Sequence, residues 1–470
     1  MRVRCPERRC GGDCFSRLAR VLACCLALLA AAGTSQALDP GRIQTHMLDN
    51  GMKVVLWPDH SIPNLAMYVF FRVGSRNERP GITGLSHFFE HMMFLGSKNY
   101  GPGEFDNVME AAGGANNAFT IQDITVYQDW FPRSAMETIF TLEADRIASL
   151  AIDSTSVENE RGVVTSERRR SVEDNNVRAL DEENWAAAYK AHPYQWPVIG
   201  WMVDIQNWKI QDLYDYFHTY YAPNNATLVV AGDFQPQEIL DLCRRHLEPI
   251  PPGPEPQPVT TAEPEQRGER RVELHRQAQV ASIISSWHVP ATSHPDYHAL
   301  RVLETLLLQG ESSRLHRRLV ERDELALRVS GGMDFALDPT LFQVLMPVRG
   351  GVDPGRCEAA LYEELDHLKE KPPDEREFRK AKNQLAADFY RRLETINGKA
   401  FVLGFSDVYS GDPKAFLDVV ERYEAVTAED IRRVVRAYFT KTNRTVSTLV
   451  PETEGAEKAG AGASGAEVGS

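Results

Sequence analysis

The stretch Gly84-Leu85-Ser86-His87-Phe88-Phe89-Glu90-His91-Met92-Met93-Phe94-Leu95-Gly96 decides how the rest of the chain is read. Its residue types and apolar periodicity predict a single helix, closed by Gly96. His87 and His91 stand four apart, so their imidazoles share one face, a turn apart. Most of the other side chains are Phe, Leu or Met, which predicts a helix buried on nearly every side. Two imidazoles and a carboxylate are costly in such surroundings unless something satisfies them. A metal ion satisfies all three at once, with the imidazoles as ligands and Glu90 acting through a bound water.

The pattern His-x-x-Glu-His at residues 87–91 resembles the inverted zinc-peptidase motif, in which two histidines ligate Zn²⁺ and the glutamate is the general base. The pentapeptide arises by chance in a chain of this composition roughly a few per cent of the time. A pair of helical histidines is also more often structural than catalytic. The weight therefore falls on whether the remaining chain supplies a third ligand and a matching scaffold.

At 470 residues the chain is long enough for two or three domains, and 43% hydrophobic with 25% charged residues is ordinary for a globular protein. Residues 1–37 differ. Six arginines against Glu7 and Asp13 leave four net positive charges, followed by the apolar run Val21–Gly33 and the small residues Ser35-Gln36-Ala37. This predicts a secretory signal peptide cleaved near Ala37/Leu38, hence export to a bacterial periplasm or beyond. A stable membrane span needs about 20 apolar residues, and this run has 13. Without the leader, the formal charge of −14 becomes −18, which argues against nucleic acid as a partner. Five of the seven cysteines precede residue 26, leaving only Cys243 and Cys357. Two cysteines make no disulfide framework and argue against thiolate metal ligands.

Two apolar runs, Met52–Trp57 and Leu65–Val73, separated by Pro58–Pro63, read as a strand pair. A helix follows near Glu104–Ala112, then Gly113-Gly114 and a strand-like run from Ala115 to Tyr127. Ser154–Asp174 reads as a long polar helix with Glu160 and Glu167 on one apolar-backed stripe. Pro249–Gly268, rich in Pro, Glu and Gln, reads as an interdomain linker. The second half repeats the grammar of the first. Ala281–Val289 is strand-like and Tyr297–Leu308 helical. Ile431–Phe439 with Asn443–Val450 echoes Leu213–Tyr220 with Asn225–Val230. The counterpart of the histidine helix reads Val302-Leu303-Glu304-Thr305-Leu306-Leu307, with no ligands. The expected class is α+β, with two homologous halves of mostly antiparallel sheet on helices. The expected divisions are 1–37 signal, 38–248 metal-bearing domain, 249–268 linker, 269–450 second domain and 451–470 disordered tail.

With both halves in view, the chain resembles the pitrilysin, insulin-degrading-enzyme and mitochondrial-processing-peptidase family of zinc endopeptidases, and within it the short secreted bacterial members. The resemblance covers nearly all of residues 43–450. It implies a third zinc ligand about 76 residues past the second histidine, the position of Glu167, and an assisting glutamate seven residues earlier, the position of Glu160. It implies one Zn²⁺ held by His87, His91 and Glu167 with water in the fourth position, and Glu90 as general base. Gly113–Thr120 resembles the edge strand that takes up a peptide substrate by strand addition, so Asn117, Ala118 and Phe119 are the implied substrate contacts. His192-Pro193-Tyr194, Pro197–Gly200 and Tyr221–Asn225 also fit.

One departure stands out. Single-chain members carry an Arg and a Tyr seven residues apart in the second half, and here those positions hold Val320 and Leu327. In heterodimeric members the zinc site and the Arg/Tyr pair reside on different subunits. This chain is therefore expected to be the zinc-bearing subunit of a dimer, with a homologous partner supplying the pair, or a homodimer. The competing expectation is a non-catalytic assembly subunit of the same family.

Overall fold

A computed structural model describes residues 40–452. The segment read as an export signal and residues 453–470 of the tail lie outside the described residues. Residues 40–43 hold one helical turn, Pro40–Arg42.

From residue 44 the first half runs β1 (Gln44–Met47), β2 (Lys53–Pro58), β3 (Asn64–Phe71), α1 (Leu85–Met92), α2 (Glu104–Ala111), β4 (Ala115–Thr120), β5 (Thr125–Pro132) and α3 (Met136–Ser149). It continues through α4 (Ser154–Arg168), α5 (Asn176–Ala188), α6 (Met202–Asn207), α7 (Ile210–Tyr220), β6 (Ala226–Gly232) and α8 (Pro236–Leu242). The second half runs β7 (Arg270–Gln277), β8 (Ser282–Val289), α9 (Tyr297–Leu308), β9 (Ser330–Gly332), β10 (Thr340–Pro347) and α10 (Pro354–Glu370). It closes with α11 (Glu375–Leu393), α12 (Ile396–Ser410), α13 (Val419–Ala425), α14 (Ala428–Tyr438) and β11 (Arg444–Glu452).

The strands form two sheets, ordered β1-β2-β6-β3-β5-β4 and β7-β11-β8-β10-β9. Leaving out β1, the two orders correspond strand for strand. Each has one parallel pair, β2 with β6 and β7 with β11, and is otherwise antiparallel. The chain is α+β with two homologous halves, as its repeated pattern predicts. Residues 251–269, between them, carry no helix or strand. This connection is tied down: Glu263 accepts N–H groups of Lys190, Ala191 and His192, and Gln266 donates to the Arg444 carbonyl at 2.8 Å.

Two local expectations change. The runs read as a strand pair, β2 and β3, are not neighbours, because β6 inserts between them. Every residue of β6 is buried, and a strand apolar on both faces belongs at the centre of a sheet. The single run Ala115–Tyr127 is a hairpin, β4 and β5, turning at residues 121–124.

Alternation along β3 divides the first sheet. Leu65, Met67, Val69 and Phe71 pack into a core with Phe88, Phe89, Ile139 and Leu213 from the half's own helices. The opposite face is covered by α12, which comes from the second half and packs on β6, β3 and β2. The exchange is reciprocal. Helix α5, from the first half, packs on β11, β7 and β8, burying Leu180 against Ile284 and Leu449.

Two features of α12 make its docking specific. Gly404 faces Phe70, and a β-carbon there would overlap the ring. Phe405 meets the same ring edge-on, with centroids 6.0 Å apart. One turn on, the fully buried carboxylate of Asp407 accepts from Lys53 at 2.7 Å, Arg72 at 2.6 Å and Thr227 at 2.8 Å. Gly404→Ala should lower the melting temperature, although Ala for Gly inside a helix ordinarily gains up to ~1 kcal/mol. Asp407→Ala should cost about 2–3 kcal/mol in urea unfolding. That is below the 3–5 of a fully buried pair, because Lys53 and Arg72 keep some water contact.

Candidate metal centre

Helix α1 is held from its first residue. Gly84 sits at φ 90° against Gly200 at φ 83°, and a β-carbon on either would strike the other segment's backbone. Glu78, buried, accepts the Gly84 N–H at 2.7 Å and the Ser86 N–H at 2.8 Å, satisfying donors that a helix start leaves free. Leu85, Phe88, Phe89 and Met92 are buried, Phe89 against Tyr216, Phe217 and Tyr221. The opposite face departs from the expectation of burial all round, since His87, Glu90 and His91 are only partly covered.

Helix α4 starts at Asp153, whose carboxylate accepts the N–H groups of Thr155 at 2.9 Å and Ser156 at 3.1 Å. Val157 and Val164 pack inward. Arg161 donates to the carbonyls of Ile205 and Trp208, fixing the helix against α6. Glu160 is buried and Glu167 half-buried, both turned toward α1.

The structure brings four of the sequence candidates together. Ligand atoms of His87, His91 and Glu167 all lie within 4.8 Å of one another. His87 Nε2 is 3.7 Å and His91 Nε2 3.2 Å from the Glu167 carboxylate. Glu160 binds the other nitrogen of His91, Nδ1, at 2.8 Å. That bond fixes the ring and leaves Nε2 facing Glu167 and His87.

The two carboxylates beside the imidazoles favour positive charge in the cluster. Burial, and then the neighbouring His91, push the His87 pKa down to about 4, so that ring stays neutral and can ligate. Burial also opposes charge on His91, but Glu160 and Glu167 outweigh it and raise its pKa to about 9. The His91 imidazole holds Glu167 below its ordinary value against the cost of burial. Two imidazoles and a carboxylate with ligand atoms this close are the kind of donor set that zinc takes with one position left open.

Glu90 lies beside this cluster. Burial raises its pKa, partly offset by hydrogen bonds with the side chain and backbone of Thr120. Thr120 ends β4, the edge of the first sheet, which pairs on one side only, with β5. Alternation along β4 separates the implied substrate contacts. Ala118 packs against the α1 side. Phe119 turns to the other face and stacks on Phe405 of α12, with centroids 6.4 Å apart. Asn117 is exposed. In the second half Val320 is half-buried on the helical turn His316–Arg322, and Leu327 is 53% exposed.

Sequence reasoning missed Glu78 and Thr120. An acidic residue in the turn before a helix was a signal for Glu78. Nothing local pointed to Thr120, whose part depends on a hairpin folding back on α1.

Residues 53–200 match the family described as insulinase, peptidase family M16, and residues 207–385 match the peptidase M16 inactive domain. The chain is 31% identical over 432 residues to the zinc protease PqqE of Helicobacter pylori, covering 91% of this chain and 96% of that one. Its fold matches the crystal structure of a protease from Helicobacter pylori with TM-score 0.84 and 30% identity, over 87% of this chain and 99% of that one. It also matches the periplasmic protease PqqL of Escherichia coli with TM-score 0.73 and 18% identity, over 89% of this chain and 48% of that one, a likeness of fold alone. The chain belongs to peptidase family M16, the family of the pitrilysin-type zinc peptidases that its sequence resembles. Among the described residues no helix is long and apolar enough to cross a membrane.

Burial raises the Glu78 pKa to about 8, with the backbone hydrogen bonds from Ser86 and Gly84 only partly offsetting it. A folded-state pKa above the unfolded value gives stability that is complete below about pH 4.5 and lost as pH rises through about 8. Glu78→Gln removes this titration. Between pH 5 and 9 the difference in melting temperature should therefore move in favour of the variant.

Proposed function

We propose that this chain is a zinc endopeptidase hydrolysing peptides or unfolded polypeptides, and that it works as the zinc-bearing subunit of a dimer. One observation carries the reading: the ligand atoms of His87, His91 and Glu167 converge within 4.8 Å, next to Glu90 and the open edge of β4. The names of the H. pylori and E. coli relatives support it. Bound at these three residues, zinc would act as a Lewis acid on the scissile carbonyl and lower the pKa of the attacking water toward 7.

The remaining roles fall to the chain itself. The Glu90 carboxylate takes a proton from the attacking water and delivers it to the leaving amine, and its raised pKa favours holding that proton between the two events. Glu160 holds His91 by Nδ1 and so acts by positioning rather than by touching substrate. A peptide added along β4 would pair with its free backbone groups at Asn117, Ala118 and Phe119, which aligns the scissile bond by main-chain contacts rather than by sequence.

Val320 and Leu327 offer nothing that could stabilise a tetrahedral oxyanion. A homologous partner carrying the Arg/Tyr pair, or a second copy of this chain, would enclose the peptide between related domains. Export to the periplasm, with 1–37 as leader, 38–248 as metal-bearing domain, 249–268 as linker, 269–450 as second domain and 451–470 as tail, belongs to the same proposal, and the periplasmic relative supports it. The rival reading, a non-catalytic assembly subunit, draws on the match to the inactive domain.

Metal analysis of the purified chain should find one zinc per polypeptide, and a chain with none would favour the rival. Glu90→Gln should retain zinc and lose about 10²–10⁴ in rate on unfolded peptides. Unchanged hydrolysis would remove Glu90 from the mechanism. Adding a homologue that lacks the zinc motif but carries the Arg/Tyr pair should raise the activity of the wild-type chain, and full activity from the chain alone would count against a dimer with divided labour.

A further inference from the structure

Glu167 is the last residue but one of α4, and the next residue ties that helix to α5, the first-half helix that packs on the second sheet. Arg168 is 5% exposed at its side chain and forms a two-pronged ion pair with Glu182 on α5, both N–H···O distances being 2.9 Å. Its guanidinium also lies 5.7 Å from the centre of the Trp201 ring. A planar fork on a carboxylate fixes direction as well as distance, so the end of α4 is registered on α5. Helix α5, in turn, is fastened to the other half's sheet. Gln343 of β10 donates to Asp181 at 2.9 Å and to Asn184 at 3.1 Å, and Asn184 donates to Ser447 of β11 at 3.1 Å. Arg270 of β7 donates to the Ala187 carbonyl at 2.9 Å. Leu180, fully buried, sits between Ile284 and Leu449. His87 and His91, by contrast, stand on a helix held by Glu78, Tyr216, Phe217 and Tyr221 of the first half.

We propose that Arg168 and Glu182 are positioning residues that set Glu167 against the two histidines, so that metal affinity depends on how α5 is seated on the second sheet. The inference rests on the reading of His87, His91 and Glu167 as the zinc site. The second half, which holds no metal ligand, then takes part in building the site. Any movement of one half relative to the other is carried along Arg168–Glu182 to one ligand of three.

The test is zinc affinity of the full chain, measured by competition with a chromogenic chelator, alongside the melting temperature of the zinc-free protein. Glu182→Gln should weaken zinc binding at least tenfold, the scale of lost supporting contacts around a metal ligand. Because it leaves Arg168 buried without its partner, it should also lower the zinc-free melting temperature, so affinity is measured at a temperature where the zinc-free protein is fully folded. Gln343→Ala removes the two side-chain hydrogen bonds to α5 and should weaken binding severalfold. In the double variant the two losses should not multiply, because Gln343 acts through the same pair. Arg168→Lys keeps the charge and loses the fork, so it should fall between wild type and Glu182→Gln, and it serves as the second variant if Glu182→Gln does not fold. Wild-type affinity in Glu182→Gln, or losses that multiply, would overturn the proposal. Absence of zinc binding by the wild-type chain would instead overturn the assignment of the site, and this proposal with it.

Discussion

A sheet buried on both faces has to be covered twice, and each half of this chain covers only one face with its own helix layer. The second face is closed by a single helix from the other half: α12 lies on the first sheet and α5 on the second. Phe70 and Phe405 on one side, and Leu180 with Ile284 and Leu449 on the other, become exposed to water if the halves part. Burial at about 25 cal/mol per Å² makes such separation expensive. Asp407 gives the docking its register, since its buried carboxylate is satisfied only where Lys53, Arg72 and Thr227 converge. Most other features of the molecule inherit their position from this exchange.

The cluster of His87, His91 and Glu167 is one of them. Its histidines stand on a helix clamped inside the first half by Glu78, Gly84 and an aromatic cluster around Phe89. Its carboxylate ligand stands at the end of a helix whose continuation crosses to the other sheet. Supporting contacts differ accordingly. His91 is oriented by Glu160 from the same helix that carries Glu167, whereas Glu167 is adjoined by Arg168, whose partner stands on α5. The low pKa of His87 and the high pKa of His91 describe imidazoles in one cluster under opposite influences, burial for the first and carboxylates for the second.

The halves share a strand order and have diverged in chemistry. Helix α9 occupies the place of α1, but it is buried along most of its length, and its one carboxylate, Glu304, is matched by Arg301 at 2.7 Å. Edge strands diverge as well. Six residues of β4 face an open edge, while β9 is three residues long and contains Gly331 and Gly332. A duplicated scaffold thus supports one site, and the second copy serves as a wall and as the seat of α5.

By itself the sequence determined the family, the α+β class and the duplication, and it singled out His87, His91, Glu160 and Glu167, which the structure brings together. Those features are carried by short-range spacing and by a repeat, both of which survive without any knowledge of contacts. The i, i+4 histidines share a helical face wherever that helix lies. Tertiary structure decided the rest. That β6 separates β2 from β3 depends on long-range pairing that local alternation does not encode. The half-exposed face of α1, the turn of Phe119 toward α12, and the bond from Glu160 to His91 depend on which elements meet. Helices α5 and α12 read as ordinary amphipathic segments, and only their exchange between sheets shows why Gly404 lacks a side chain and why Asp407 and Arg168 are buried with their charges.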